Sequence, residues 1–312
     1  MSALTCVIPA SIFSSLVDSQ RSIAGLMLLR NMDLPPRALT AILPPSVEHN
    51  LEQPLDEPGS PAETPRAPLH LYNEDFFRTK NYAGNPFRRF STYWFSRRYY
   101  AALLRRYAPA GADRRLLDAG CGMGHLLELL QDDFRCTGYD VMDYAVEQTR
   151  LIAPRADVFV ASGDVQGRFA DDEFSAVVGL GLVEHLERPA DFIRDTYRIL
   201  RPGGLFFFLT PNPEYGLRRQ KDPTSDVIGE DPTHINLKPP REWLRICEEN
   251  GFVIERQFAD GWWDVPYVPL LPKSLQLAIF GMPAALQVLT RGTFLPVGWG
   301  VCLLVMARKP SR

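Results

Sequence analysis

The stretch RRLLDAGCGMGHLLELL, residues 114–130, decides how this chain folds. Leu116 and Leu117 begin a short apolar run, and "HLLELL" reads as a helix with a leucine face. Between them Gly120, Gly122 and Gly124 leave a bend without side chains. Glycine there permits backbone angles that other residues avoid and lets a ligand lie close against the main chain. A strand entering a helix through such a bend is the building unit of open parallel sheets. In these sheets, ligands bind beyond the carboxyl ends of the strands, where strand order reverses.

Outward from the bend the same alternation continues. "RCTGYD", "DVFVASGD", "FSAVVGLGL" and "GLFFFLTP" read as strands, and "DYAVEQTRLI" and "PADFIRDTYRIL" as intervening helices. This order predicts an α/β fold with a doubly wound parallel sheet and helices on both faces. "PPREWLRICEEN" is a further helix with Gly251 as its left-handed cap, followed by strand "FVIERQFA" and a last strand in "GWGVCLLVMARK". Residues 1–70 are rich in Pro, Glu and Ser and read as a poorly ordered leader. Order is expected from residue 71. Pro86 is the expected first helical position of a cap over 71–113, with Phe87, Phe90, Trp94, Tyr100, Leu104 and Tyr107 at helical spacing. The interleaved arginines read as its solvated face.

Lys and Arg total 34 against 37 Asp and Glu, a net charge of −3, which gives no electrostatic reason to expect a nucleic-acid partner. Cys6, Cys121, Cys136, Cys247 and Cys302 form no CxxC or Cys/His cluster, so a reducing, cytoplasmic setting is expected. The start of the chain lacks the basic segment of a secretion signal, and no apolar run approaches the ~20 residues needed to span a bilayer.

The bend is spaced Gly120-x-Gly122-x-Gly124, unlike the GxGxxG of dinucleotide binders, whose helix N-terminus receives a pyrophosphate. Asp118 stands two residues before the first glycine, where it would repel a pyrophosphate and attract an ammonium group. Asp140 closes the second strand 22 residues later, the place of a carboxylate that binds ribose hydroxyls. Asp164 closes the third strand and is placed to accept from an adenine amine. Three carboxylates on successive strand ends describe one elongated ligand with amino-acid, ribose and adenine parts. Each alone would be explained as a turn former or helix cap.

Residues 115–212 resemble the class I S-adenosylmethionine-dependent methyltransferases, particularly the small-molecule branch that includes ubiquinone-biosynthesis O-methyltransferases. "LLDAGCGMG" is similar to the first motif of that family, "GYD" to its second-strand acid and "GDV" to its adenine-contacting segment. "VEHLERPADFIRDTYRILRPGGLFFFLTPNP" is similar to its fourth-strand, helix and fifth-strand block, with Gly203 and Gly204 ending the helix. The resemblance implies a Rossmann-like, mostly parallel seven-stranded sheet with an antiparallel last strand. It implies S-adenosylmethionine as cofactor, held by Asp118, Ala119, Gly120, Cys121, Gly122, Gly124, Asp140, Val141, Asp164, Val165 and Gly179, with Tyr82 in a segment closing over it.

The expected reaction is methyl transfer to a small, apolar acceptor, at oxygen. A sulfonium cofactor carries the difficult chemistry, leaving alignment and a base to the protein. His185, Glu184 and His234 are the candidate catalytic residues, since histidine exchanges protons near neutral pH without large tuning. A structural role for each histidine stays open. No metal is expected, because relatives that carry an acid three residues before the Glu have it where this chain has Gly181. The acceptor is a quinone, phenol, sugar or lipid-like molecule. The apolar segment 264–298 is expected to form one or two helices broken at Pro283. They either roof an acceptor pocket begun by Trp262, Trp263 and Tyr267 or, through 266–296, contact a membrane surface. Two rival readings are a non-catalytic protein keeping the cofactor pocket and a nicotinamide-dependent oxidoreductase.

Overall fold

The computed structural model describes residues 89–162, 165–221, 226, 228–229 and 231–311. The leader, Pro86, Tyr82 and Asp164 lie outside them. Helix α1 (Thr92–Tyr107) comes first. It is followed by β1 (Arg115–Ala119), α2 (His125–Leu130), β2 (Arg135–Asp140), α3 (Asp143–Ile152) and β3 (Asp157–Val160). Then come β4 (Phe174–Leu180), α4 (Pro189–Ile199), β5 (Leu200–Pro211), α5 (Pro240–Glu249) and β6 (Val253–Ala259). The hairpin α6 (Lys273–Phe280) and α7 (Met282–Thr290) precedes β7 (Cys302–Arg308).

The seven strands form one sheet in the order β3-β2-β1-β4-β5-β7-β6. The first five are parallel, and β7 runs antiparallel between β5 and β6. Strand order reverses between β1 and β4, so the site is expected at their carboxyl ends. Alternation along β1 sends Leu116 to one face, with α1, α2 and α3, and Leu117 and Ala119 to the other, with α4 and α5. Asp118 shares the face of Leu116 and lines a cleft with the glycine turn that follows it.

Three local expectations are corrected. Helix α1 begins at Thr92, where the Ser91 side chain caps it by accepting from the Trp94 amide at 3.1 Å. Phe90 just before it is left-handed and largely exposed, so only Tyr99, Tyr100, Ala101, Leu103 and Leu104 make the buried face. The "LRPGG" turn does not end a helix: α4 stops at Ile199, and residues 200–204 form the bulged start of β5. There Gly203, at φ +77°, pairs its backbone with Lys309. The helical insertion breaks at Gly281, and Pro283 sits in the first turn of α7, where its missing N–H costs nothing.

Candidate active site

Gly120, Gly122 and Gly124 all hold positive φ, +68°, +53° and +75°. At Gly124 an added Cβ would lie 2.5 Å from Thr149 Cγ2, so the close approach of α3 requires glycine there. The turn turns its amides inward. Cys121 N donates to the Tyr139 carbonyl (2.9 Å), Gly122 N to Asp140 Oδ2 (2.9 Å) and Gly124 N to the Cys121 carbonyl (3.0 Å). A pyrophosphate-binding turn must point such donors at its ligand. Here the amides of Cys121, Gly122 and Gly124 are already used, which leaves the turn fewer donors for an anion.

The cleft beside the turn is lined by Arg97, Asp118, Gly120, Cys121, Gly122, Met123, His125, Leu126 and Leu180. Asp118 is 3% exposed, and burial pushes its carboxyl up to about 7, opposed by the charge of Arg97 and reinforced by Asp140. Asp140 is also pushed up by burial, against the amides of Gly122 and Met142 that bond its two oxygens. A carboxylate has about four acceptor sites, so Asp140 keeps capacity for further donors. Sequence reasoning placed Arg97 on a solvated face; it lines the cleft with Asp118 instead. A cation facing a buried acid is the complement of an amino-acid zwitterion.

Of the other expected cofactor residues, Ala119 points its methyl into the core, Val141 is exposed after β2, and Val165 packs on the edge of the second cluster. Gly179 is buried in β4 against Leu182 and Phe208, one residue short of Leu180, which lines the cleft.

Glu184 and His185 sit in a turn after β4, and His234 faces them from the loop before α5. The two imidazole rings lie 4.9 Å apart. His185 Nδ1–H donates to the Thr233 carbonyl and His234 Nδ1–H to that of Ile228, both at 2.9 Å, which fixes both rings with Nε2 as the basic nitrogen. Burial lowers the pKa of His185, opposed by the Thr233 carbonyl and Asp231, and keeps the ring neutral. Glu184 is 2% exposed and pushed up to about 7 by burial, and its Oε2 has no hydrogen-bond partner. Its backbone carbonyl accepts from Asn236 N (2.9 Å), pinning the loop to the turn. Ligand atoms of Glu184, His185 and His234 lie within 4.8 Å of one another, the one such set among the described residues whose spacing would admit a cation. The histidines do not line the cleft around Asp118; they form a separate cluster beyond the end of β4, whose last residue, Leu180, does line it.

Trp262, Trp263 and Tyr267 pack with Tyr215, Ile228 and Phe280 in a third apolar cluster under the hairpin. Ile228, whose carbonyl holds His234, belongs to it, so the hairpin's base and the histidine loop share a core. Lys221 Nζ ties that loop to Asp264 at 3.0 Å.

Fold and site together define a doubly wound nucleoside-type binding protein with a zwitterion-complementary cleft at its switch point. The chain matches the methyltransferase domain family over residues 93–257, more than half its length, and belongs to it. It is 32% identical over 165 residues to a probable S-adenosylmethionine-dependent methyltransferase of Mycolicibacterium smegmatis, covering 52% of this chain and 60% of that one. It is 36% identical over 104 residues to a ubiquinone biosynthesis O-methyltransferase of Alkalilimnicola ehrlichii, covering 32% of this chain and 42% of the relative. The match thus spans less than two thirds of either relative. Among solved structures, a chain from the complex of the Haloferax volcanii Trm112 methyltransferase activator with a methyltransferase aligns at TM-score 0.50. Its identity is 18%, over 70% of this chain and 96% of that one, and the likeness is one of fold.

The family implies S-adenosylmethionine as cofactor, and the residues present fit it. The buried Asp118 and the adjacent Arg97 suit its ammonium and carboxylate, and the glycine turn leaves the main chain uncovered.

Proposed function

We propose that this protein is an S-adenosylmethionine-dependent methyltransferase acting on the oxygen of a small apolar acceptor. The observation that carries the reading is the buried carboxylate facing an arginine, beside a turn that uses three of its amides internally. That combination disfavours a dinucleotide and favours a ligand ending in an amino acid. When bound, S-adenosylmethionine supplies an activated methyl group on a sulfonium. Asp118 holds the ammonium, Arg97 the carboxylate and Asp140 the ribose. His185, neutral and fixed with Nε2 as its basic nitrogen, accepts the proton leaving the acceptor hydroxyl; His234, fixed the same way, positions that hydroxyl. Glu184 stabilises the imidazolium formed, its Oε1 being 3.9 Å from His185 Nε2. Oxygen as the atom methylated is supported by this pair of oriented bases and by the ubiquinone biosynthesis O-methyltransferase relative.

The test is thermal unfolding of the full chain with S-adenosylhomocysteine, with NAD, and with neither. S-adenosylhomocysteine at ~100 times its dissociation constant is expected to add about 2.7 kcal/mol of stability. The gain should vanish in Asp118→Ala. Stabilisation by NAD alone would overturn the reading. Methyl transfer is then assayed with labelled S-adenosylmethionine and a panel of phenols and quinols.

A further inference from the structure

The α6–α7 hairpin is built inside out. Its buried side chains are glutamines: Gln276 is 0% and Gln287 1% exposed. Gln276 Oε1 accepts from the amides of Tyr267 (2.7 Å) and Val268 (3.0 Å), and its Nε2 donates to the carbonyls of Val268 and Leu271. Gln287 Oε1 accepts from the amides of Phe294 and Leu295, and its Nε2 donates to the Ala259 carbonyl. The surface is left to Leu275, Leu277, Ile279, Met282, Leu286 and Leu289, the last 74% exposed. Water favours the reverse assignment, with glutamine outside and leucine inside. An exposed apolar face of this kind marks an interaction surface.

Its charge says which partner. From Val265 to Arg312 the sequence holds no aspartate or glutamate. The cations on the hairpin are Lys273 at the start of α6 and Arg291 at the end of α7, bracketing the apolar face. An apolar face rimmed by long basic side chains matches the acyl–headgroup boundary of an anionic bilayer, where bases reach the phosphates and leucines enter the hydrocarbon. No helix of the described residues is long and apolar enough to cross a membrane, so the contact is with its surface.

We propose that the α6–α7 hairpin docks the protein on anionic phospholipid membranes. The hairpin is anchored for that load: Tyr99 Oη donates to the Gly292 carbonyl at 2.5 Å, tying the end of α7 to α1, and its base is fixed in the third cluster. Docking there would bring a membrane-dissolved acceptor to the side of the molecule that carries the His234 loop. The binding itself does not rest on the proposed methyl transfer.

The experiment is flotation of the full chain with vesicles of phosphatidylcholine alone and of phosphatidylcholine with phosphatidylglycerol. Binding is expected to the mixed vesicles and to weaken with salt. Leu286→Gln with Leu289→Gln, both solvent-facing, should weaken it at least about tenfold with an unchanged melting temperature. Lys273→Gln with Arg291→Asn should weaken it by roughly tenfold or more on anionic vesicles alone, Asn being compatible with the left-handed backbone at 291. Absence of binding to the mixed vesicles would overturn the proposal, as would binding that the leucine pair does not weaken. So would a self-association that the leucine pair abolishes while vesicles leave the protein unbound, since the face would then join two copies of the chain.

Discussion

At Asp118 a carboxylate is buried with one arginine nearby, and its pKa is displaced to about 7 from an ordinary value near 4. A folded-state pKa above the unfolded one means stability that is present at low pH and lost as pH rises through 7. Asp118→Asn should therefore stabilise the ligand-free protein at pH 8, on the order of 2–4 kcal/mol by urea unfolding. The same variant should lose affinity for S-adenosylhomocysteine by calorimetry, because a neutral amide cannot hold an ammonium. In the parent protein that affinity should fall as pH drops below about 7, where Asp118 is protonated. His185→Asn and His234→Asn should leave cofactor binding intact; His185→Asn should reduce turnover by roughly 10²–10⁴-fold. Asp118, Asp140 and the glycines could be read from sequence because each stands at a fixed distance from a strand end. Arg97 could not. It lies 21 residues before Asp118, and only the docking of α1 on the sheet brings the two together.

Among the elements, strands and helices between 115 and 259 were legible because each apolar run has a turn or glycine at both ends. The misreading at residues 200–204 has a physical source. Pro-Gly-Gly after a helix resembles a stop, yet Leu200 and Leu205 both pair with β4, and the residues between them bulge. Within the hairpin, Gln276 holds four main-chain partners that no apolar residue could satisfy. Gln276→Leu should lower stability by about 2–4 kcal/mol, although it makes the helix more apolar, since buried amides and carbonyls are left unpaired. Circular dichroism melting checks this, and a neutral or stabilising result would mean that water reaches those groups. Sequence periodicity does not show which face of such a helix turns inward, since it assumes that leucine does.

Across the whole molecule, several acids share the behaviour of Asp118. Burial pushes Glu184 up to about 7 and Asp260 to about 6. The folded protein therefore binds more protons than the unfolded chain between about pH 4 and 7, so these acids make stability decline across that window. His185, lowered by burial, works the other way and loses its contribution below about 6.5. The ligand-free melting temperature, followed from pH 5 to 8, should thus fall up to about pH 7 and level off above it, His185 offsetting part of the fall. S-adenosylhomocysteine should flatten that fall by giving the ionised Asp118 a counter-charge. A profile unchanged by ligand would place Asp118 away from the ammonium.

The position of β7 between β5 and β6 sets an order of events during synthesis. When β6 leaves the ribosome it has no neighbour in the sheet, and β5 presents an open edge until residues 302–308 follow. The leucine-rich hairpin of residues 273–290 emerges in that interval. Two unpaired edges and an apolar surface are then exposed together, the conditions under which nascent chains aggregate. Slower translation across this stretch, or chaperone capture of it, would be felt as yield of folded protein rather than as its activity.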